Sequence, residues 1–436
     1  MAAIKRWLCC CAGFSLWIFP LPLHAAVFGP QSYLSALAKA KPGTVIQLGP
    51  GTYHGGLPII GLKGTPDRPI VIEATDPARP PRFLAHPGRH TVSIVDASYV
   101  RIRNLVLDGQ GLPVDAVRAE KHSRHAHHIT LEGLHIIGHG IDQGIVGIAT
   151  RCPAWGWVIR RNVIARAGTG MYLGNSDGSA PFFAGIIEHN LIYDTLGYNL
   201  QIKHQHTRPV DLEAPSGPQM TIIRHNVFSK FGNGTNGRNA RPNLLVGHFP
   251  GEGSGADDHY AIYGNFFYAN PAEALFQGEG NVALYANLFV NPYGDAVHIQ
   301  PHNDVPRNIW LFNNTVVAKG AGIELRGATG DYLRLMRGNI LFSSEYGVSE
   351  LHAGNLVDAF SQAAENLINP FASPGRLDLK PKFVVASKGW TAFAAPTAFP
   401  QADVDFDERT FQQDDMGAYS SADYPRAWSP RIALKP

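Results

Sequence analysis

Cysteine is scarce in this chain of 436 residues, and its distribution excludes a fold held together by disulfides. Only four cysteines occur, and three of them lie at the start of the chain, at Cys9, Cys10 and Cys11. Once a cleaved leader removes those three, Cys152 is alone and no intramolecular disulfide can form. The stability of the mature chain therefore has to come from packing and hydrogen bonds.

Charge of either sign is also sparse, at 17% of the residues. Without the leader, 35 basic residues face 35 acidic residues, so the mature chain has no excess of either charge. Such a chain has no uniformly charged surface for steering onto a polymer, and any attraction for an acidic polymer has to be local. We therefore expect no nucleic-acid partner. The abundance of glycine and proline suits many short strands joined by turns.

The leader itself has the features of a secretory signal peptide. Lys5 and Arg6 precede an apolar run over residues 7–23, and small residues suit cleavage after Ala25. The run contains two prolines and is short for a membrane span. We expect a signal peptide over residues 1–25, a periplasmic or secreted mature protein, and no membrane span after cleavage. An N-terminal anchor helix is the alternative.

The dominant pattern in the chain is an internal repeat of an alternating strand, an asparagine and two apolar residues. Successive copies are 22 to 39 residues apart, and the shortest spacing is about one coil of a parallel β-solenoid. An asparagine that recurs at one turn can bond to its counterpart in the next coil and satisfy buried turn groups, so a structural role is expected. The copies are Asn104, Gly133 (degenerate), Asn162, Asn190, Asn226, Asn265, Asn287, Asn314 and Asn339.

The repeat predicts an all-β chain, folded as a right-handed parallel β-helix of roughly ten coils. The stretch "PQSYLSALAKAKPGTVIQLGPGTYHGG" predicts a short helix, a strand and a turn, which would cap the open edge of the solenoid. The tail "FPQADVDFDERTFQQDDMGAYSS" predicts a segment that wraps the far end. We expect one domain with caps: signal peptide 1–25, N-terminal cap and first coil 26–75, β-helix 76–370, and C-terminal cap and tail 371–436.

Three stretches resemble a known group of proteins. The segments "PGTVIQLGPGTY", "GTPDRPIVIEA" and "DFDERTFQQDDMGAY", together with the asparagine repeats, are similar to secreted right-handed β-helix proteins, especially the alginate and chondroitin B lyase group of polysaccharide lyases. The resemblance covers most of the mature chain. It implies the fold and a partner that is an acidic polysaccharide or another glycan. The same fold also carries hydrolases, epimerases and proteins without activity. We expect a monomer.

A second strand follows each asparagine turn, and its outward positions predict a polar face. Alignment of these strands puts Tyr172, Gln201, Leu245, Phe276, His298 and Glu324 in one outward column. The next column holds Gly174, Lys203, Gly247, Gly278, Gln300 and Arg326, so that glycines leave Lys203 without bulky neighbours. We predict that a sugar chain is bound by Tyr172, Gln201, His204, Phe276, His298, Gln300, Glu324 and Arg326.

The chemistry that such a face would support is that of a uronate lyase. The enzyme has to neutralise a carboxylate, remove the proton α to it and protonate the leaving glycosidic oxygen. Lys203 matches the position of the lysine base in the lyases that the chain resembles, and the resemblance implies that it is the base. Their next coil carries an arginine in "L-R-H-G", where this chain has "LLVGHF". We therefore predict His248 as the acid, with Arg241 as the reserve, and calcium as the cofactor, with Glu279 as its candidate ligand.

Several alternatives stay open on the sequence alone. Lys203 is also compatible with a solvated strand end, and the whole groove with a non-catalytic glycan-binding solenoid. A hydrolase would need paired carboxylates about 5–10 Å apart, and Glu279 and Glu324 are too far apart on their strands. A transition-metal site would draw on His204, His248, Glu279 and His298. The motif "HSRHAHH" (residues 122–128) fits a solvated turn or a metal site.

Overall fold

The computed structural model describes residues 26–345, 354–382, 396–412, 414–421 and 428–436. Its strands form three long parallel sheets, and successive coils of the chain add one strand after another to each sheet. The chain is therefore a right-handed parallel β-helix, as the repeat predicts. The predicted signal peptide, with Cys9, Cys10 and Cys11, lies outside the described residues. Among the described helices, none is long and apolar enough to cross a membrane.

The three sheets are named here by their order within one coil. Sheet 1 contains Val27–Phe28, Val45–Leu48, Ile70–Ala74, Ser98–Arg103, Ala126–Glu132, Val158–Arg160, Ile186–Glu188, Met220–Arg224, His259–Tyr263, Gly280–Tyr285, Pro306–Phe312 and Arg334–Arg337, with Ala154–Trp155 and Phe182–Phe183 at its side. Sheet 2 contains Thr52–Tyr53, Arg82–Leu84, Val106–Asp108, His135–Ile137, Val163–Ala165, Leu191–Tyr193, Val227–Ser229, Phe266–Tyr268, Leu288–Asn291, Thr315–Ala321, Ile340–Glu345 and Leu356–Ala359. Sheet 3 contains Leu57–Ile60, Val92–Val95, Val117–Ala119, Val146–Thr150, Thr169–Leu173, Leu200–Ile202, Leu244–Val246, Phe276–Gly278, Val297–Ile299 and Ile323–Leu325.

Helices are few and short in the described residues. The α-helices are Tyr33–Leu37 and Ala363–Asn366, and the 3₁₀ turns are Gly237–Asn239 and Phe360–Gln362. Past the last described coil, Leu367–Asn369 and Asp378–Pro381 pair as an antiparallel hairpin.

The core is a set of aliphatic side chains that stack from coil to coil. Parallel pairing in register places equivalent inward residues directly above one another, and each coil buries its apolar face against the next. One such stack on sheet 1 is continuous over eleven coils, and every member is buried: Ile46, Ile72, Ile102, Leu131, Ile159, Ile187, Ile223, Ile262, Leu284, Leu311 and Met336.

The repeated asparagines form a buried ladder along the turn between sheets 1 and 2. In each rung, Oδ1 of one asparagine accepts the main-chain N–H and the side-chain amide N–H of the asparagine one coil before it. Both bonds from Asn190 to Asn226 are 2.9 Å long. The side-chain amide of Asn226 also donates to the carbonyl of Ile187 at 2.8 Å. The ladder comprises Asn162, Asn190, Asn226, Asn265, Asn287, Asn314, Asn339 and, beyond the predicted copies, Asn355.

Asn104 and Gly133 lie one residue outside this ladder, which corrects the predicted repeat. The residue opposite Asn162 is Leu134, whose main-chain N–H donates to Asn162 Oδ1 at 2.8 Å. Asn104 and Gly133 take the position before it, where φ is 57° and 65°. Asparagine tolerates this left-handed conformation better than most residues do. Asn104 therefore matches the repeat in residue type, but it occupies a left-handed turn position and not a rung of the ladder.

The predicted N-terminal cap is present as the helix Tyr33–Leu37 followed by the strand Val45–Leu48. Tyr33 and Leu37 are buried against the first coil. The Tyr33 hydroxyl donates to the carbonyl of Gly56 at 2.6 Å, which ties the helix to the turn before sheet 3. The apolar end of the solenoid is thus covered.

The C-terminal tail lies along the flank of sheet 2 as well as near the last coils. Phe406, Met416 and Trp428 belong to one buried cluster with Phe266 and Val317. The predicted wrapping segment is therefore a lateral strap, whose apolar side chains are buried against sheet 2.

Lys435 anchors the end of this strap in the flank. Its buried ammonium donates to the carbonyl of Gly264 at 3.1 Å and to that of Phe406 at 2.5 Å. Burial lowers the pKa of Lys435 to about 8, and Asp407 and Glu408 act against that shift. A buried lysine needs such partners, because an unpaired ammonium in an apolar environment is costly.

Asn226→Ala is expected to lower the free energy of unfolding by about 3 kcal/mol, because it leaves buried amide groups of Asn190 without an acceptor. Asn236→Ala is the matched control, since Asn236 is exposed and its side chain makes no capping hydrogen bond to the 3₁₀ turn that follows it. Chemical denaturation followed by circular dichroism compares the two. A loss below about 1 kcal/mol for Asn226→Ala would show that the rung does not stabilise the turn.

Candidate functional site

An open cleft with an empty volume of about 660 Å³ lies on the outer face of sheet 3, around the strand Leu200–Ile202. Four predicted site residues, Tyr172, Gln201, Lys203 and Arg241, meet in it. The described residues that line the cleft include two arginines, one lysine and one histidine, and no aspartate or glutamate. The lining consists of Gln143, Gly144, Val146, Arg151, Thr169, Tyr172, Tyr198, Gln201, Lys203, Arg241 and His302.

Lys203 stands between two glycines, as its predicted column requires. Its main-chain N–H donates to the carbonyl of Leu173 at 2.9 Å, which places Gly174 beside it. A Cβ on Gly174 would lie 3.2 Å from Lys203 Cβ, and a Cβ on Gly247 would lie 2.8 Å from the Lys203 carbonyl carbon. Larger residues would crowd the strand at both places. Gly174 therefore leaves room for the Lys203 side chain, and Gly247 allows its coil to approach the main chain of Lys203 and His204 closely.

The environment of Lys203 favours its neutral form. Burial lowers the pKa of the Lys203 ammonium; the Glu279 carboxylate acts against this shift and the Arg151 guanidinium adds to it. Within the described parts of the chain, no carboxylate forms an ion pair with Lys203 and no side chain hydrogen-bonds to it. A lysine of this kind has a larger neutral fraction near neutral pH, which a proton-abstracting base requires.

Two tyrosines carry cations over their rings. The Arg151 guanidinium carbon is 4.0 Å from the centre of the Tyr172 ring, and Lys203 Nζ is 5.8 Å from the same point. The Arg241 guanidinium carbon is 5.8 Å from the centre of the Tyr198 ring. Attraction between cation and ring at these distances orders the charged groups without neutralising them. Burial raises the pKa of Tyr198, so its hydroxyl keeps its proton.

Arg241 reaches the cleft from the loop between sheets 2 and 3. Its Nη1 group donates to the carbonyls of Arg238 at 3.0 Å and Ala240 at 2.7 Å, so the loop orients its own arginine. Gln143, from the same edge three coils earlier, donates to Thr235 Oγ1 at 2.9 Å. The loop is thus tied to the edge of the helix, and it forms one wall of the cleft.

His204 and His248 form a stacked pair beside the cleft, with ring centres 5.2 Å apart and planes at 22°. His248 Nδ1 lies 2.8 Å from the carbonyl of Phe249, which engages one ring nitrogen. Burial lowers the pKa of His204, and His248 adds to the shift. The predicted acid His248 is therefore a neighbour of Lys203 along the strand ends, while His302 is the histidine that lines the cleft.

Phe276 points into the core, which corrects its predicted place on the outer face. The register pairs Phe276 with Leu244 and Val297, so Gln277 takes the outward position. Phe276 is fully buried, and a Cβ on Gly278 would lie 2.8 Å from its ring. The inward glycine makes room for the large ring, and a slip of one residue exchanges the two faces of a strand. Gly278 is likewise inward and does not flank Lys203.

Glu279 is engaged in a turn. Its Oε2 accepts the main-chain N–H groups of His302, Asn303 and Asp304 at 2.7, 2.8 and 3.1 Å, and its Oε1 accepts that of His248 at 3.3 Å. Calcium takes about six to eight oxygen ligands. No group of three metal-ligating side chains with suitable geometry occurs in the described part of the chain. The residues present therefore do not fit the calcium that the resemblance implies, nor the alternative histidine-rich metal site.

The remaining predicted residues lie farther along sheet 3. His298 Nε2 is 3.1 Å from Asp295 Oδ2 and 3.2 Å from Glu324 Oε2, and Arg326 Nη2 is 2.6 Å from the same Glu324 oxygen. These charged side chains therefore pair with one another. They lie three strands or more beyond Gln201 on sheet 3, at a distance of about 14 Å or more.

Gln300 extends the column of Lys203 on this sheet, because its N–H donates to the carbonyl of Gly278. The structure thus divides the predicted face into a cationic cleft and a separate, internally paired cluster.

Sequence reasoning missed Arg151, Tyr198 and Gln143 in the cleft. The signal for Arg151 was present: the strand Val146–Thr150 pairs with Thr169–Leu173, so Arg151 follows in the column of Gly174 and Lys203. Extending the strand alignment by one coil toward the N-terminus would have found it. Tyr198 lies before the strand Leu200–Ile202, so the alternation of the strand does not predict which way its side chain points. That direction depends on the conformation of the turn.

No protein-family model matches this chain, and no curated protein does either. Among solved structures, the chain is similar to an alginate lyase from Paenibacillus sp. str. FPU-7, at 19% identity over 59% of this chain and 92% of that one, with a TM-score of 0.43. It is also similar to pectate lyase Pel9A (13% identity, 89% and 90% of the two chains, TM-score 0.45) and to the A-module of the Azotobacter vinelandii mannuronan C-5 epimerase AlgE4 (14%, 76% and 91%, 0.42). Similarity at these identities does not identify a reaction for this chain.

Glu279→Gln is expected to lower the free energy of unfolding by about 2 kcal/mol, because the glutamine amide offers one acceptor oxygen where the carboxylate offers two. Denaturation curves with added calcium and with a chelator should show the same loss. The exposed Glu345 provides the control Glu345→Gln. A loss seen only with calcium present would identify Glu279 as a metal ligand.

Proposed function

We propose that this protein binds a uronate-containing polysaccharide along sheet 3 and cleaves it by β-elimination, with Lys203 as the base. The observation that carries the proposal is the cleft lining, in which Arg151, Lys203 and Arg241 converge without a carboxylate among the described lining residues. A cluster of half-buried cations that the protein does not neutralise is suited to an anionic ligand, because a cleft lined by charges of one sign attracts the opposite charge.

The two arginines would bind the uronate carboxylate. Guanidinium groups pair with carboxylates in a planar geometry and remain charged at every physiological pH. Arg151 and Arg241 would lower the barrier further by stabilising the negative charge that develops on the carboxylate when the α proton leaves. Tyr172 and Tyr198 offer ring surface on which the apolar face of a sugar can pack.

Lys203 would take the proton. Its neutral amine accepts the proton on the carbon α to the carboxylate, the electron pair of that C–H bond forms the new C=C bond, and the glycosidic C–O bond at the β carbon breaks. The leaving oxygen then needs a proton, and in this proposal the Tyr198 hydroxyl, one of the hydroxyl groups that line the cleft, donates it in place of the predicted His248. Solvent restores the proton of Tyr198 and removes the one on Lys203.

Lys203→Ala is expected to reduce kcat/KM by about a thousandfold, and Tyr198→Phe by about a hundredfold, because each removes one proton-transfer group. The assay follows the ultraviolet absorbance of the unsaturated product on alginate, chondroitin or dermatan, heparinoids and pectate. Lys319→Ala is the control, since Lys319 is exposed and outside the cleft.

Two results would contradict the lyase proposal. If none of these polymers yields an unsaturated product with the unmodified protein, the elimination is wrong for them, and retained binding would favour the non-catalytic glycan-binding solenoid. If Lys203→Ala keeps full activity, another group is the base.

Arg151→Gln is expected to shift the pH dependence of kcat/KM toward higher pH. Only neutral Lys203 can accept a proton, so activity rises as pH rises through its pKa. The positive charge of Arg151 contributes to the lowering of that pKa, and its removal raises the pKa again. Initial rates from about pH 6 to about pH 10 measure the midpoint. An unmoved midpoint, or a shift to lower pH, would mean that Lys203 is not the titrating group.

A further inference from the structure

Lys230 is a fully buried lysine and is not among the described residues that line the cleft. It follows the strand Val227–Ser229 of sheet 2 and lies beneath the loop that carries Arg241. A lysine is almost never fully buried without a partner, because its ammonium loses its hydration. Its Nζ donates to the main-chain carbonyl of Arg241 at 2.8 Å. The buried charge is thus directed at the backbone of a cleft residue.

The same carbonyl accepts a second hydrogen bond, from Asn270 Nδ2 at 2.9 Å. Asn270 is itself fixed: its Nδ2 also donates to Asn243 Oδ1 at 2.9 Å, and its main-chain N–H donates to Asn291 Oδ1 at 3.2 Å. All three asparagines are buried. The carbonyl of Arg241 is therefore held by two buried donors, while Arg241 itself lines the cleft.

We infer that Lys230 is a positioning residue, which holds the Arg241 guanidinium in the cleft through the Arg241 main-chain carbonyl and so supports binding of an anionic group of the substrate. The inference rests on the proposed function for the identity of that anion. Lys230 does not line the cleft, and its effect on a ligand has to pass through Arg241.

The charge of Lys230 makes this support sensitive to pH. Burial lowers the pKa of Lys230 to about 8; the Glu273 carboxylate acts against this shift and the Arg241 guanidinium adds to it. Above that pH the amine is neutral and is a weaker donor to the carbonyl. Affinity for an anion should therefore be highest below about pH 8 and should fall as pH rises through it.

The test measures binding by calorimetry in a Lys203→Gln background, which prevents turnover and removes the titration of Lys203. The probes are hexasaccharides of mannuronic acid and of galacturonic acid. Lys230→Met is expected to raise Kd about tenfold, because a charge-assisted hydrogen bond is lost. Lys319→Met, at an exposed site, is the control and should leave Kd unchanged. Adding Arg241→Ala to Lys230→Met should give no loss beyond that of Arg241→Ala alone.

An unchanged Kd, or losses that add fully in the double variant, would overturn the inference. If Lys230→Met does not fold, the dependence of Kd on pH tests the inference in a protein that retains Lys230. Kd in the Lys203→Gln protein should rise from about pH 7 to about pH 9, and should stay flat once Arg241→Ala is added. A rise that persists without Arg241 would overturn the inference.

Failure of the proposed function gives a different result. If neither hexasaccharide binds the Lys203→Gln protein, the proposed ligand is wrong, and hydrogen exchange then decides on Lys230. Amides of residues 233–241 should exchange faster in Lys230→Met than in the unmodified protein. Equal exchange rates would overturn the positioning role.

Discussion

The turn between sheets 1 and 2 buries main-chain groups that no neighbouring strand can reach, and the asparagine side chain satisfies them. The Asn226 amide accepts two hydrogen bonds from the coil before it and donates one to that coil and one to the coil after it, at distances near 3 Å throughout. Because an unsatisfied buried amide costs about 1–3 kcal/mol, a coil that slipped by one residue would lose several such bonds at once. The ladder thus fixes the register of the coils from Asn162 to Asn355.

That register decides which side chains meet on sheet 3. Arg151, Gly174, Lys203 and Gly247 follow one another at a spacing of about 4.8 Å only because the coils beneath them are aligned. The cleft concentrates cations, which is unfavourable for folding without a ligand. The aliphatic stacks and the ladder supply the rigidity that keeps these groups in place, and the loop around Arg241 depends on a second set of buried amides below it.

Much of this could be predicted from the sequence. The period of the asparagines predicted the solenoid, and the alignment of the strands that follow the asparagine turns placed Lys203 outward between glycines. Predictions failed where a residue fits two roles. Asn104 suits both a ladder and a left-handed turn, and Gly278 suits both an open groove and a space for the Phe276 ring; only the packing of neighbours decides. Glu279 illustrates a further limit, since a carboxylate that binds turn amides and one that binds metal look alike in a sequence.

The ladder also separates the length of a coil from its geometry. The rung from Asn190 to Asn226 spans 36 residues and the rung from Asn265 to Asn287 spans 22, yet the amide-to-amide bonds are 2.9 and 3.0 Å long. The additional residues leave the helix as loops at the edges of sheet 3, and the loop that carries Arg241 forms one wall of the cleft. A wall can therefore be lengthened, shortened or exchanged without any change in the asparagine ladder or the aliphatic stacks. The scaffold is modular in this sense: the loops of individual coils can change the ligand preference, while the ladder and the stacks continue to stabilise the fold.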